Sequence, residues 1–157
     1  MAAPRKAAKQ VEEIDDDRLD LGDLSELLGF QLRLAQAAMH RDFVEAMGDL
    51  DFKQRPLATL MLIGSNPGVS QIALANTLGT DRATMMMMVD KLQDRGLLIR
   101  TRSTADRRRQ ALHLTPAGTK AIRDARRRIQ THEKKFIDLF TPAELKKLRE
   151  FLQRISA

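Results

Sequence analysis

The sequence predicts a mainly α-helical chain that carries one small β-hairpin. Three observations lead to that fold class. Apolar residues recur every three or four positions through most of the 157 residues. Proline and glycine stand where helices would begin and end, as at Pro56, Gly79, Gly96 and Pro116. One stretch only, 97–115, changes to alternation with a period of two, broken in its middle by a polar, arginine-rich loop.

Residues 1–18 read as a mobile polar tail, in which Arg5, Lys6 and Lys9 precede the acidic run Asp15 to Asp17. A long first helix is expected over 21–47. Leu28, Leu32, Ala35, Met39, Phe43 and Met47 make one apolar stripe there, widened by Leu24, Leu27 and Leu34. "GDLDFKQ" ends that pattern. A second, strongly apolar helix is expected from Pro56 to the glycine-containing turn at 64–68. Ser70 then caps a short helix, "QIALANTL", with Ile72, Leu74 and Leu78 facing inward or towards neighbours, and Gly79 ends it in a left-handed conformation. Either Thr80 or Asp81 caps the next helix, which runs to Arg95 and stops at Gly96. Two short helices about a tight glycine turn are a helix-turn-helix signal. The strands "LLIRTR" and "QALHLT" on either side of "STADRRR" add a wing, so the unit reads as a winged helix. Thr115 and Pro116 open a long basic helix to about Phe140, and "TPAE" at 141–144 is a capping box for a last helix lined by Leu145, Leu148, Leu152 and Ile155.

Composition narrows the function. With 43% hydrophobic residues the chain can bury a core, yet no apolar run reaches the length of a membrane span. The N-terminus lacks the apolar segment of a signal peptide, so a cytoplasmic protein with no membrane partner is expected. There is no cysteine, which removes thiol nucleophiles, thiol redox sensing and cysteine-based zinc sites. His40, His113 and His132 lack the local spacing of a metal site. No glycine-rich phosphate loop or nucleophile triad appears, and neither enzyme activity nor a cofactor is expected. The formal net charge is +6, and the positive residues gather at Arg82, Lys91, Arg95, Arg100, Arg102, Arg107 to Arg109 and Arg126 to Arg128. Such clustering around one helix and one hairpin favours nucleic acid over a uniformly solvated surface.

The stretch from Ser70 to Gly118 resembles the MarR (multiple antibiotic resistance regulator) family of bacterial transcription factors. The family pattern places "VDKLxxRGLL" after the helix-turn-helix, then a wing with Asp-x-Arg, then "LxLTxxG". Here the matches are Val89, Asp90, Leu92, Arg95, Gly96 and Leu97, then Asp106 and Arg108, then Leu112, Leu114, Thr115 and Gly118. The helix order extends the resemblance from about Leu21 to the end. It implies a homodimer whose first, fifth and sixth helices form a dimerisation layer, on a pseudo-palindromic double-stranded DNA operator. The resemblance divides the chain into the tail 1–18, a first dimerisation helix 19–50, a winged lobe 51–115 (recognition helix 80–95, wing 97–115) and C-terminal dimerisation helices 116–157. Members usually repress transcription and leave DNA when a small ligand binds between the two layers. The branch controlling aromatic-acid breakdown is the one this sequence looks closest to, which points to a small aromatic ligand or its acyl-CoA thioester.

The resemblance puts Arg108 at the wing tip, where its charge suits a narrow minor groove. Arg107 and Arg109 suit phosphates, and Asp106 would hold the wing through an arginine. Ser70, Thr80, Arg82 and Thr84 lie at helix starts, where free N–H groups favour phosphate, although Ser70 and Thr80 serve equally well as plain caps. Gln71, Asp81 and Lys91 complete the residues assigned to DNA on these helices. Four consecutive methionines, Met85 to Met88, cannot all face one core on a helix. If Val89 and Leu92 are core, Met85 and Met88 join them, while Met86 and Met87 turn outward to DNA. Methionine cannot donate a hydrogen bond but can touch a thymine methyl, so Arg82 becomes the main candidate for a base or phosphate contact from this helix. Arg33, Met39, His40, Phe43 and Met61 are candidates for an effector pocket, with ordinary core or surface as the alternative for each. A competing function is an architectural or RNA-binding winged helix without an effector. Aromatic content of 4%, with none between Phe52 and Phe136, argues against base stacking on single strands.

Overall fold

A computed structural model describes residues 19–102 and 110–156. Two compact units divide the chain, Met1–Ala37 and Ala38–Ala157. In the first, a 3-10 turn at Gly22–Glu26 precedes α1 (Leu28–Met47). The single helix expected over 21–47 is therefore broken, at Leu27, whose ψ of 115° is extended. Local polar bonds cause the break. Gly22 sits at φ +49° and donates its N–H to the Asp20 carboxylate at 2.9 Å. The Ser25 hydroxyl donates to the Gly22 carbonyl at 2.8 Å, and the Gln31 amide to the Ser25 carbonyl at 2.7 Å. Such side-chain bonds compete with the helical ladder. Leu28 and Leu34, expected on the apolar stripe, are exposed.

In the second unit α1 buries Phe43 and Met47 and passes through a 3-10 turn, Gly48–Leu50, into α2 (Gln54–Ser65). Helix α2 starts two residues before Pro56. Its first intrahelical bond runs from the Leu57 N–H to the Lys53 carbonyl at 3.1 Å, so the missing proline N–H falls in the first turn and costs nothing. Then come α3 (Gln71–Thr77), α4 (Arg82–Asp94), β1 (Leu98–Arg102), β2 (Gln110–Leu114), α5 (Pro116–Ile137) and α6 (Pro142–Ser156). This is the predicted mainly α winged helix-turn-helix, with six helices and a two-stranded wing. Leu57, Leu60 and Ile63 of α2 meet Leu74 of α3, Met85, Val89 and Leu92 of α4, Leu98 and Leu112 of the wing, and Ile122 and Ala125 of α5 in one core.

The strands are antiparallel, with Leu98 opposite Leu114 and Arg102 opposite Gln110. Val69 adds a one-residue third rung, absent from the sequence reading. The Leu112 N–H donates to the Val69 carbonyl at 3.0 Å, and the Gly68 N–H to the Leu112 carbonyl at 2.8 Å. Ile72 was expected to face inward or towards neighbours and is exposed instead. Helix α5 stops at Ile137 rather than Phe140, because the Leu139 and Phe140 N–H groups turn back to Phe136 and Ile137 at 3.3 and 3.1 Å. The capping box of α6 forms as expected. The Thr141 N–H reaches Glu144 Oε2 at 2.8 Å, and the Glu144 N–H reaches Thr141 Oγ1 at 3.3 Å. No residue of α6 is fully buried; Phe151, Leu152 and Ile155 are exposed.

The wing is knotted to α5 at its base. The Thr115 N–H donates to the Leu97 carbonyl at 3.1 Å, and the Thr115 hydroxyl to the Gly96 carbonyl at 2.6 Å. The same hydroxyl oxygen caps α5 by accepting the Gly118 N–H at 3.0 Å. A Cβ on Gly118 would overlap the Leu97 carbonyl oxygen. Gly118→Ala should therefore destabilise the chain by about 1–3 kcal/mol, the usual range for overpacking. Urea unfolding should show a lower midpoint at an unchanged slope.

Candidate nucleic-acid interface

The helix-turn-helix is built by caps. Ser70 Oγ accepts the Ala73 N–H at 3.2 Å, and α3 ends before Gly79, held at φ +57°. The Thr80 N–H then bonds the Ala75 carbonyl at 3.0 Å, closing the turn. Between the two candidates for the cap of α4, the structure selects Asp81. Its Oδ1 accepts the Thr84 N–H at 2.8 Å and its Oδ2 the Thr84 hydroxyl at 2.6 Å. The Thr84 hydroxyl and backbone bonds hold the Asp81 carboxyl below the usual carboxylate range. Two expectations for phosphate contacts are weakened by this. The Thr84 hydroxyl hydrogen is already committed, and an anionic Asp81 occupies the helix end that would otherwise attract phosphate. Gln71 is also less available than expected. Its Nε2 is closed off from solvent and finds no partner among the described residues.

The methionines divide as the periodicity predicts. Met85 is 0% exposed, whereas Met86 and Met87 are 51% and 55% exposed. Met88 is half-buried, and its sulfur lies 3.1 Å from the Thr59 hydroxyl, which also faces the Arg55 carbonyl at 2.9 Å. Arg82 and Lys91 are exposed on the same helix.

Beside α4 and the wing, two arginines of the positive cluster are used internally. Arg100 on β1 donates to Gln93 at 2.6 Å and forms an ion pair with Asp90, tying the wing to the flank of α4. Arg95 at the end of α4 bonds the carbonyls of Asp51 and Leu50 at 3.2 and 3.4 Å. Among the described residues no ion pair engages Arg82, Lys91 or Arg102, which leaves these as outward-facing positive charge. Asp106, Arg107, Arg108 and Arg109 lie outside the described residues.

The effector candidates are dispersed in role. Arg33 belongs to the first unit and is exposed. In the second, His40 Nδ1 faces Gln54 Oε1 at 3.1 Å on the exposed side of α1, and Met39 and Met61 are half-buried. Phe43 is core, edge-on to the His132 ring at 5.7 Å. The environment of His132 was not foreseen from the sequence. It is buried, donates Nδ1–H to Asp42 at 2.6 Å, and meets the Phe136 ring at 5.3 Å. Lys135 closes on the other oxygen of Asp42. Lys135 and His132 share one face of α5 by their i, i+3 spacing, but nothing local in the sequence pairs them with Asp42, 90 or more positions away.

Against known proteins, the model for the MarR family matches residues 50–109. A putative transcriptional regulatory protein for the hcr operon, from Thauera aromatica, is 33% identical over 135 residues, spanning 85% of this chain and 81% of that protein. The chain belongs to the MarR family. It is a transcription regulator of that family by descent and by fold. A solved structure of the transcriptional repressor CouR bound to a 23-mer DNA duplex superposes with a TM-score of 0.83 at 35% identity, covering 89% of this chain and 99% of that one. CouR bound to p-coumaroyl-CoA gives 0.80 at 33% identity, covering 88% and 98%. No described helix is long and apolar enough to cross a membrane.

The Asp42 cluster has a pH signature. Hydrogen bonds from Lys135, then His132, hold the Asp42 carboxyl below its usual range, and Asp42 raises Lys135 above its own. A lowered carboxyl stabilises the fold above its unfolded pKa of about 4, and that stabilisation is lost as pH falls through the folded value. A raised lysine does the reverse at the alkaline end. Asp42→Asn should lower the thermal midpoint at neutral pH, and the gap to the wild type should close on acidification, as followed by circular dichroism.

Proposed function

We propose that this chain is a homodimeric repressor, not an enzyme, acting in the cytoplasm. In this reading it binds a pseudo-palindromic operator and is released by a small aromatic ligand or its acyl-CoA thioester. The likeness to CouR carries the reading, because it extends over nearly the whole of that chain and includes both a DNA-bound and a p-coumaroyl-CoA-bound form. The geometry supports it. Helix α4 turns Arg82, Met86, Met87 and Lys91 outward beside a basic wing strand. A major groove about 12 Å wide accepts such a helix.

Ser70, Thr80 and Arg82 would position the phosphate backbone, with smaller parts for Asp81 and Thr84, which are bonded to each other, and for Gln71, whose Nε2 is closed off from solvent. Met86 and Met87 would meet thymine methyl groups, and the wing residues Arg107, Arg108 and Arg109 would add backbone and minor-groove contacts, with Asp106 as their anchor. Dimerisation would bury the apolar residues that α6 and the start of the chain leave in solvent, including Leu28, Phe151, Leu152 and Ile155. The tail 1–18 stands apart in this scheme, with 19–50 and 116–157 forming the dimer layer and 51–115 reading DNA. Met39, His40, Phe43 and Met61 would be the effector candidates of the second unit, and Arg33 that of the first.

Recovering the DNA bound in its own genome, then titrating that duplex, tests the reading. Arg82→Ala and Arg108→Ala should each weaken binding and reduce the dependence of log affinity on log salt by about one, as loss of a phosphate contact does. Light scattering should still report a dimer. An aromatic acyl-CoA should release wild-type protein from the duplex. Persistence of the complex at saturating thioester would remove that effector class from the assignment.

A further inference from the structure

Two arginines grip the same short turn, one from the recognition helix and one from α5. The turn, Gly48–Leu50, follows the last residue of α1, with Gly48 at φ +44° and Asp51 at φ +47°. Asp51 is the one described non-glycine residue in the left-handed region, a conformation that surrounding bonds must hold. Arg128 of α5 supplies one set. Its Nη1 donates to the Met47 carbonyl at 2.8 Å and lies 3.4 Å from that of Ala46, and its Nη2 reaches Asp49 at 2.5 Å. These are the open carbonyls at the end of α1, where a cation is favoured. Arg95, the C-terminal cap of α4, supplies the other. It holds the Leu50 and Asp51 carbonyls, and its guanidinium stacks 4.6 Å above the ring of buried Phe52.

We infer that Arg95 and Arg128 are positioning residues for DNA binding, which through the 48–51 turn set the angle of the recognition helix to α5. The inference rests on the dimeric operator reading above. If α5 lies in the dimer layer, that angle sets the separation of the two recognition helices. Helix α4 has 13 residues and is about 20 Å long. A tilt of about 5° at one end therefore moves the other by about 1.7 Å. Summed over two subunits, this approaches the roughly 3.4 Å between successive base pairs. The contacts are suited to fixing an angle rather than to adding stability. The Asp49 carboxylate is largely in solvent, where ion pairs contribute little, but a planar guanidinium on several acceptors restricts direction.

The test compares the operator recovered from the genome with versions one base pair longer and shorter between half-sites, by fluorescence anisotropy. Wild type should bind the natural spacing far better than either altered one. Arg128→Ala should remain dimeric by light scattering, yet its discrimination among the three duplexes should shrink at least tenfold. Arg128→Lys should fall between, since an ammonium cannot reproduce the fork. Should the alanine chain lose its dimer, Asp49→Asn provides the same comparison while leaving the Arg128 bond to Met47. Folded, dimeric variants that keep the full wild-type discrimination overturn the inference. A wild type that binds all three duplexes equally overturns the two-half-site reading and this inference with it.

Discussion

The backbone of α5 meets the Leu97 carbonyl, just ahead of β1, at Gly118 with no room for a side chain between them. The remaining geometry of the DNA-binding lobe depends on that approach. Thr115 bonds Gly96 and Leu97 on one side and caps α5 on the other, so the end of the recognition helix, the root of the wing and the start of α5 share one small knot. Gly96, at φ +68°, lets the chain leave α4 and enter β1 across only three residues. The family motif around these residues thus has a physical cause. Its glycines mark a tight exit and a close contact, and its threonine serves two backbones at once.

Around this knot the lobe is well buried and the flanking helices are not. Leu60, Ile63, Met85, Val89 and Leu112 have no solvent exposure, whereas Leu139, Phe140, Phe151 and Ile155 are left in water. A contiguous apolar face on an amphipathic helix is costly to hydrate, and covering it releases roughly 25 cal/mol per Å². A second copy of the chain is the partner that this arrangement suits, and it would also bring a second recognition helix to the duplex.

Local signals were legible in the sequence. Thr115-Pro116 and Thr141 to Glu144 announce helix starts because the capping partners lie within three residues. The inward and outward methionines separate because a helix has a fixed period. The Asp81–Thr84 bond could have been read from the same three-residue spacing, and it chooses between the two cap candidates. What escaped was long-range or conformational. Nothing near Val69 announces its pairing with Leu112, and the break at Leu27 follows from Asp20 and Ser25 capturing a glycine backbone rather than from any breaker in the apolar stripe. Arg95 and Arg128 read as surface charge, since their acceptors are carbonyls about 45 and 80 positions away, across the fold. His132 read as an isolated histidine for the same reason.

The single rung between Val69 and Leu112 makes the wing something other than a loose flap. It stitches the entry of α3 to the middle of β2, while Arg100 stitches β1 to the flank of α4. Bending the ribbon therefore drags both helices along. If the ribbon and the helix occupy neighbouring grooves as proposed, the seating of one would be coupled to the seating of the other. An operator would then be sensed partly as a shape that either lets the whole clamp settle or holds it off.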